Sequence, residues 1–436
     1  MVTRERSCPA AGRWSGARET AANGKAAAVV ALVSATALLL ATAGPARGQG
    51  SARAWGMGGA HTASARGLEA VQFNPANLAF SPGATVGLAA AGADVRNNAF
   101  SLERYNEIMG ATLTSADKEQ ILSEIPAGGL SLDGDVRVSA LGLHAGRFAA
   151  SVHGFAAGRG NLDRDFFDLV LFGNEPGETV DFTDTHGEGH AVGAFTLSGG
   201  LPVARTGGAL LAIGANLHYL RGIYEMHVER AGGSLATSLD AISGAAVVEA
   251  LTAEGGHGYA VDLGAALQTG NWTLGLALDN LASRLVWDRN PERHVYAVTA
   301  GDLYLMHDDL DAAVVSSDTT HVTDAYRTSL PARLRAGASR QLGRVLVAAD
   351  LTQGLADRAG ASTSPRLSAG IELGVAGFLL PRLGMAAGGD RGFSSAAGLG
   401  LAIGCWRLDL AAVNSGGLAA GSSRGVGFAA GSSLVF

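Results

Sequence analysis

From about residue 84 to the C-terminus, apolar positions alternate with small or polar ones at a period of two, the period of an extended strand rather than of a helix. At the end of the chain Val426, Phe428, Ala430, Ser432, Leu434 and Phe436 fall on one face. Gly425, Gly427, Ala429, Gly431 and Ser433 fall on the other. Between Pro365 and Val375, the apolar Leu367, Ala369, Ile371, Leu373 and Val375 alternate with Arg366, Ser368, Gly370, Glu372 and Gly374. A slip of one residue would turn Arg366 and Glu372 to the apolar side, at roughly 2 to 4 kcal/mol for an arginine in mid-membrane, so the register is well specified. The same alternation runs through 272–279, 332–339, 345–352 and 406–413. One face suits hydrocarbon and the other a lumen, which is the pattern of a transmembrane β-barrel.

Read along the chain, the pattern predicts strands near 84–95, 130–145, 147–158, 184–202, 208–228, 256–269, 272–287, 328–341, 344–353, 365–377, 381–389, 394–404, 405–414 and 424–436. The total is about fourteen, an even number as such barrels require. The connections 96–129, 159–183, 229–255, 288–327, 354–364, 390–393 and 415–423 alternate with turns of a few residues. With both termini periplasmic, these connections become extracellular loops. Trp272, Phe378, Trp406 and Phe436 then fall at the periplasmic rim as an aromatic girdle, with Trp287 at the opposite rim. Two loops carry helical signals: 115–122, beginning at Ser115 as a cap, and 163–172.

Composition sharpens this picture. The chain is 47% hydrophobic and 16% charged, with 63 glycines, too apolar for disorder. Glycine inside a helix costs about 1 kcal/mol relative to alanine, so glycines spread through apolar segments favour strands. Upstream, basic residues to Lys25 precede an apolar run over 26–43 and the small-residue stretch Gly44-Pro45-Ala46-Arg47-Gly48, the layout of a signal peptide over residues 1–48. Its loss takes the formal charge from −7 to about −11 and leaves Lys118 as the only lysine, which excludes a nucleic-acid partner. Cys8 goes with the leader and Cys405 stands alone, so no disulfide is expected.

Residues 49–83 do not alternate and read as a plug, with a helix over 63–73 and a second turn that Asn74 caps and Pro75 opens. Gly56-Met57-Gly58-Gly59-Ala60 followed by Asn74-Pro75-Ala76-Asn77-Leu78-Ala79 resembles the start of the hatch in the FadL/TodX long-chain fatty-acid transporter superfamily and its PorV/PorQ-like relatives. The resemblance implies an outer-membrane barrel over 84–436, filled by an N-terminal hatch that lets hydrophobic molecules leave sideways into the membrane. The matching hatch residues are Gly56, Met57, Gly58, Gly59, Asn74, Pro75 and Ala76.

Other motifs carry less. The glycines at 56–59 follow no strand and precede no Gly-Lys-Ser/Thr, so they are not a phosphate loop. His186 and His190 flank Glu188, but residues four apart on a strand lie about 13 Å apart, too far to share one metal ion. Asp302, Asp308, Asp309 and Asp311 offer oxygens for calcium without an EF-hand spacing. Arg333, Arg335, Asp350, Arg366, Glu372, Arg407 and Asp409 fall on the lumen face, where they are expected to pair across strands or with the plug. No catalytic constellation stands out, so neither an enzyme nor a cofactor is expected. Two functions remain: passive outer-membrane transport of hydrophobic, fatty-acid-like molecules, or a PorV-like role in secretion or surface attachment of another protein. In both, the partners include outer-membrane lipids and the barrel-assembly machinery, which requires Phe436 as the terminal anchor.

Overall fold

The computed structural model describes residues 51–304, 314–419 and 421–436. The expected leader, and Asp308, Asp309 and Asp311, lie outside the described residues; Asp302 sits near the end of a strand, Glu292–Tyr304. Fourteen antiparallel strands close into a barrel. They are Ala84–Asn97, Leu130–Ala145, Phe148–Leu162, His186–Thr206, Ala209–Thr237, Gly256–Thr269, Trp272–Trp287, Arg333–Leu342, Val345–Gly354, Arg366–Leu373, Leu379–Gly388, Ser394–Ile403, Trp406–Ser415 and Gly425–Val435. Each pairs with the next, and the last closes on the first with Thr85 opposite Val435 and Arg96 opposite Gly425. Closure leaves no open edge in the ring.

Polarity is inverted relative to a water-soluble barrel. Leu367 is 60% exposed, Leu383 64% and Phe428 66%, whereas Asp350 on an inward position is 2% exposed and Glu372 8%. Exposed leucines facing outward and buried carboxylates facing inward are stable only where the outside is hydrocarbon. Turns on the side of the termini are two to five residues long. In Gly207-Gly208 both φ angles are positive, +56° and +85°, as the tight hairpin that matches strand twist requires.

On the opposite side two connections differ from the sequence expectation. Residues 229–255 and 288–327 are not plain loops. The strand Ala209–Thr237 leaves its barrel neighbour after Gly222 and pairs onward with Ala241–Ala253, which pairs with Glu292–Tyr304, and that with Val314–Val322. A sheet therefore continues beyond the ring. It escaped the period-two reading because outside hydrocarbon neither face need be apolar. The two loop helices form at Ser115–Glu124 and Arg164–Phe172. The cap of the first is Thr114 rather than Ser115, with Thr114 and Asp117 bonding reciprocally as a capping box.

Candidate functional site: a filled lumen

Residues 51–80 lie inside the ring, on the half nearer the chain termini and the short turns. The sequence predicts one helix over 63–73; instead a short helix Ala52–Gly56 comes first, and 63–73 breaks into a turn, a 3₁₀ turn Gly67–Glu69 and the single helical turn Ala70–Phe73. The break follows from Gly67, whose φ of +57° no helix accepts. Asn74 and Pro75 act as the sequence predicts. The Asn74 side chain accepts from Ala76 N, and Pro75 opens the 3₁₀ helix Pro75–Phe80.

The wall receives this segment on glycine. A Cβ added to Gly384 would lie 2.1 Å from Gly58 N, one on Gly370 2.4 Å from Met57 O, and one on Gly214 2.4 Å from Ala76 N. Gly142 meets Leu68, Gly264 meets Asn74, and Gly398 meets Gly56 in the same way. Six different strands thus lack side chains where the segment passes, its backbone nearest at Gly214, Gly370, Gly384 and Gly398 and its side chains nearest at Gly142 and Gly264. Met57, Ala60, Ala76 and Leu78 are fully buried there.

Charge fixes the segment in place. Arg53 donates from Nε and NH2 to the two oxygens of Glu372, both at 2.8 Å, a planar bidentate pair. Glu372 also accepts from Arg382 Nε at 2.6 Å, and Arg382 NH1 reaches Asp409 at 2.6 Å. Inside the segment Arg53 meets Glu69, which His61 and Ser51 also contact. A second anchor is Asp350 Oδ2, which accepts from the backbone N–H of His61 at 2.8 Å and of Thr62 at 2.7 Å. Buried ion pairs recover their desolvation cost only with such complete geometry.

Above the segment is a cavity of about 140 Å³. Val71 and Gln72 form its floor; Phe155, Leu220, Leu330, Arg137, Arg333 and Arg335 are among its walls. Two loops fold inward over it. Ala359 N donates to Glu188, and Gly360 O accepts from Arg333 at 2.6 Å. In the same loop Asp357 accepts from the hydroxyl and backbone N–H of Thr363, which holds its carboxyl below the usual range. From the other loop Asp390 pairs with Arg96 and Arg159, and Arg391 with Asp94 and Asp135.

Beside the cavity the hydrogen-bond ladder lapses. Residues 326–328 pair with 285–287 and residues 333–340 with 272–279, leaving 329–332 out of the ladder. Pro331 in this stretch has no N–H to give. Asn280, at φ +52°, covers the lapse by donating its side chain to Pro331 O and its N–H to Asp262. Leu330 turns inward and is 8% exposed.

The predicted lumen charges separate into groups. Glu372, Asp409 and Asp350 belong to the two anchors; Arg335 pairs with Asp279 at 2.7 Å and lies over the Phe73 ring. Arg333 lines the cavity and bonds a carbonyl, not a carboxylate. Arg366 caps the outer end, donating to Gly388 O, Gly392 O and Ser394. Arg407 makes no ion pair among the described residues. Arg382 belongs to the main anchor and was readable from its place two before Gly384 on the lumen face; Arg53 had no periodic signal. His186 and His190 stay four apart on one strand, and Glu188 between them binds the Ala359 backbone.

Trp272, Phe378 and Phe436 are outward and exposed at the terminal side. Trp287 is not a rim residue: at 1% exposure it packs inside against Gly222 and Gly256, with Nε1 bonded to Thr328. The lapse at 329–332 leaves it room within the wall.

A family model described as "Family of unknown function (DUF5723)" matches residues 75–254. Among curated proteins no sequence matches. Among solved structures, the Ralstonia pickettii toluene transporter TbuX superposes with a TM-score of 0.50 at 16% identity, over 90% of this chain and 99% of its own. The chain has the fold of TbuX. The P. putida toluene transporter TodX (TM-score 0.46, 14% identity, 88% of this chain and 97% of its own) and a Pseudomonas aeruginosa FadL homologue (0.45, 15%, 89% and 99%) also align. At these identities the likeness is one of fold.

Proposed function

We propose that the chain is an outer-membrane channel for passive entry of small hydrophobic molecules, with residues 51–80 as a hatch closing the periplasmic half of the lumen. The observation that carries this reading is the closed, outwardly apolar ring whose inner wall is cut away in glycine to hold an N-terminal segment. The solute enters through the extracellular loops, rests in the cavity, and leaves sideways where residues 329–332 stand out of the ladder, so that it meets lipid rather than water. TbuX, of the same fold, is a toluene transporter, which fits a solute of that size. No catalysis is required of any residue.

The test uses vesicles with a lipopolysaccharide outer leaflet, which hydrophobic solutes cross poorly. The intact barrel is expected to admit toluene and exclude glucose, and a barrel lacking residues 51–80 to admit both. Exclusion of toluene by the intact barrel would overturn the reading.

A further inference from the structure

Two of the three guanidinium groups that line the cavity, those of Arg137 and Arg333, make no salt bridge among the described residues. Arg335 is neutralised by Asp279 at 2.7 Å. The other carboxylates of the cavity are also committed: Asp135 to Arg391, and Asp262 to His218 at 2.7 Å and Asn216 at 2.8 Å. Arg333 bonds only the Gly360 carbonyl, and Arg137 has no hydrogen-bond or ion-pair partner among the described residues. The nearest carboxylates, Asp135 to Arg137 and Asp279 to Arg333, act on them through space and are each bonded to another arginine, Arg391 and Arg335. A cation taken out of water costs several kcal/mol unless an anion accompanies it. Sharing their carboxylates with other arginines, Arg137 and Arg333 keep N–H donors free for a further anion.

Apolar side chains lie beside these arginines: Phe155 is the cross-strand neighbour of Arg137, and Leu220 and Leu330 face the same space. An apolar cavity of about 150 Å³ accepts one benzene ring, and this one has about 140 Å³. We propose that the cavity selects a small organic acid, an aromatic carboxylate with one ring, whose ring lies against Phe155, Leu220 and Leu330 and whose carboxylate takes N–H bonds from Arg137 and Arg333. This rests on the transport reading and names the solute class within it. A guanidinium presents paired donors in the geometry a carboxylate accepts. Long chains are excluded by the inward-folded loops above and by Val71 and Gln72 below.

The experiment is calorimetric titration of the detergent-solubilised barrel with benzoate, with benzyl alcohol as the neutral molecule of similar shape, and with toluene. Benzoate is expected to bind at least tenfold more tightly than benzyl alcohol. The double variant Arg137→Gln/Arg333→Gln should lose that preference, and Arg137→Lys/Arg333→Lys should keep most of it; heat-modifiable migration verifies that each variant is folded. Because the first comparison uses only the unaltered protein, it stands even if a variant fails to fold. Equal or weaker binding of benzoate overturns the inference. If toluene binds while benzoate does not, the channel reading survives and the acid selectivity falls; if toluene crosses the vesicles and neither probe binds in the cavity, only the assignment of the site falls. A preference that persists in the glutamine variant also overturns it, since the anion would then be held elsewhere.

Discussion

Filling the glycine seat should open the channel without touching any charge. Replacing Gly214, Gly370 and Gly384 by valine places a Cβ 2.4, 2.4 and 2.1 Å from backbone atoms of residues 76, 57 and 58, and none of these contacts can be relieved by a side-chain rotation on the hatch. Each overpacked site costs about 1 to 3 kcal/mol; Gly214 lies apart, but Gly370 and Gly384 face each other in the ladder and couple, so the total is only of the order of 3 to 9 kcal/mol. The opposing hold is the Arg53–Glu372 pair, whose disruption costs about 3 to 5 kcal/mol in buried settings, together with the two N–H bonds to Asp350 at about 1.5 to 3 kcal/mol each. One valine should therefore be tolerated, whereas three bring the cost to the same order as the hold, so that the segment leaves its seat in a substantial share of molecules. A fourteen-strand ring with strands about 4.8 Å apart and tilted about 40° has a backbone radius of about 14 Å, so an emptied lumen approaches the open channel of a porin. Single-channel recording in planar bilayers should give low, rare openings for the unaltered barrel and for Gly214→Val alone, and frequent large openings for the triple variant. Limited proteolysis should then cut within residues 51–80. Gly193→Ala, where the nearest atom to an added Cβ is 3.9 Å away, is the matched control. A triple variant that stays closed and protease-resistant would refute the argument that shape, rather than charge alone, retains the segment.

Three further outcomes are expected. Deleting Phe436, or replacing it by Asp, should abolish heat-modifiable barrel in the outer-membrane fraction, because the last strand loses its apolar terminal anchor; a normal yield would contradict this. Leu367→Arg, at a position 60% exposed on the outer face, should destabilise the barrel by about 2 to 4 kcal/mol in urea titrations in lipid vesicles if that position lies near mid-membrane, whereas a change under about 0.5 kcal/mol would place Leu367 outside the hydrocarbon. In proteins retaining a single tryptophan, brominated lipid should quench Trp272, which is 44% exposed, and leave Trp287, 1% exposed, unquenched; the reverse order would restore Trp287 to the rim.

The ring was legible in the sequence wherever lipid enforces it. The segments 130–145, 256–269 and 272–287 have the same bounds in sequence and structure, because a register slip there exposes charge to hydrocarbon. Past Gly222 that pressure ends, and the strand Ala209–Thr237 continues well beyond its expected end at 228. Trp287 was misplaced because an aromatic at a strand end reads as an interfacial anchor unless the neighbouring glycines are known to leave a hole for it. Residues 51–80 gave their turn chemistry at Asn74 and Pro75 but not their anchors, since Arg53, Glu372 and Asp350 are brought together only by closure of the ring. The glycines were visible from the outset; that they share one level around the wall was not, as that depends on strand stagger.

The helix Ala52–Gly56 packs against strands made near the end of the chain: Ala52 and Trp55 touch Ala411 and Ala429, and the Trp55 ring lies between Gly92 and Gly427, on the two strands that close the barrel. The earliest described part of the polypeptide thus waits more than three hundred residues for its partners. Such long-range contacts are late and slow to form. A chain halted before its last hairpin has no slot for Trp55, so the final zipping of the ring and the docking of its first helix are one event, and the fluorescence of Trp55 in a single-tryptophan protein would time that event during refolding.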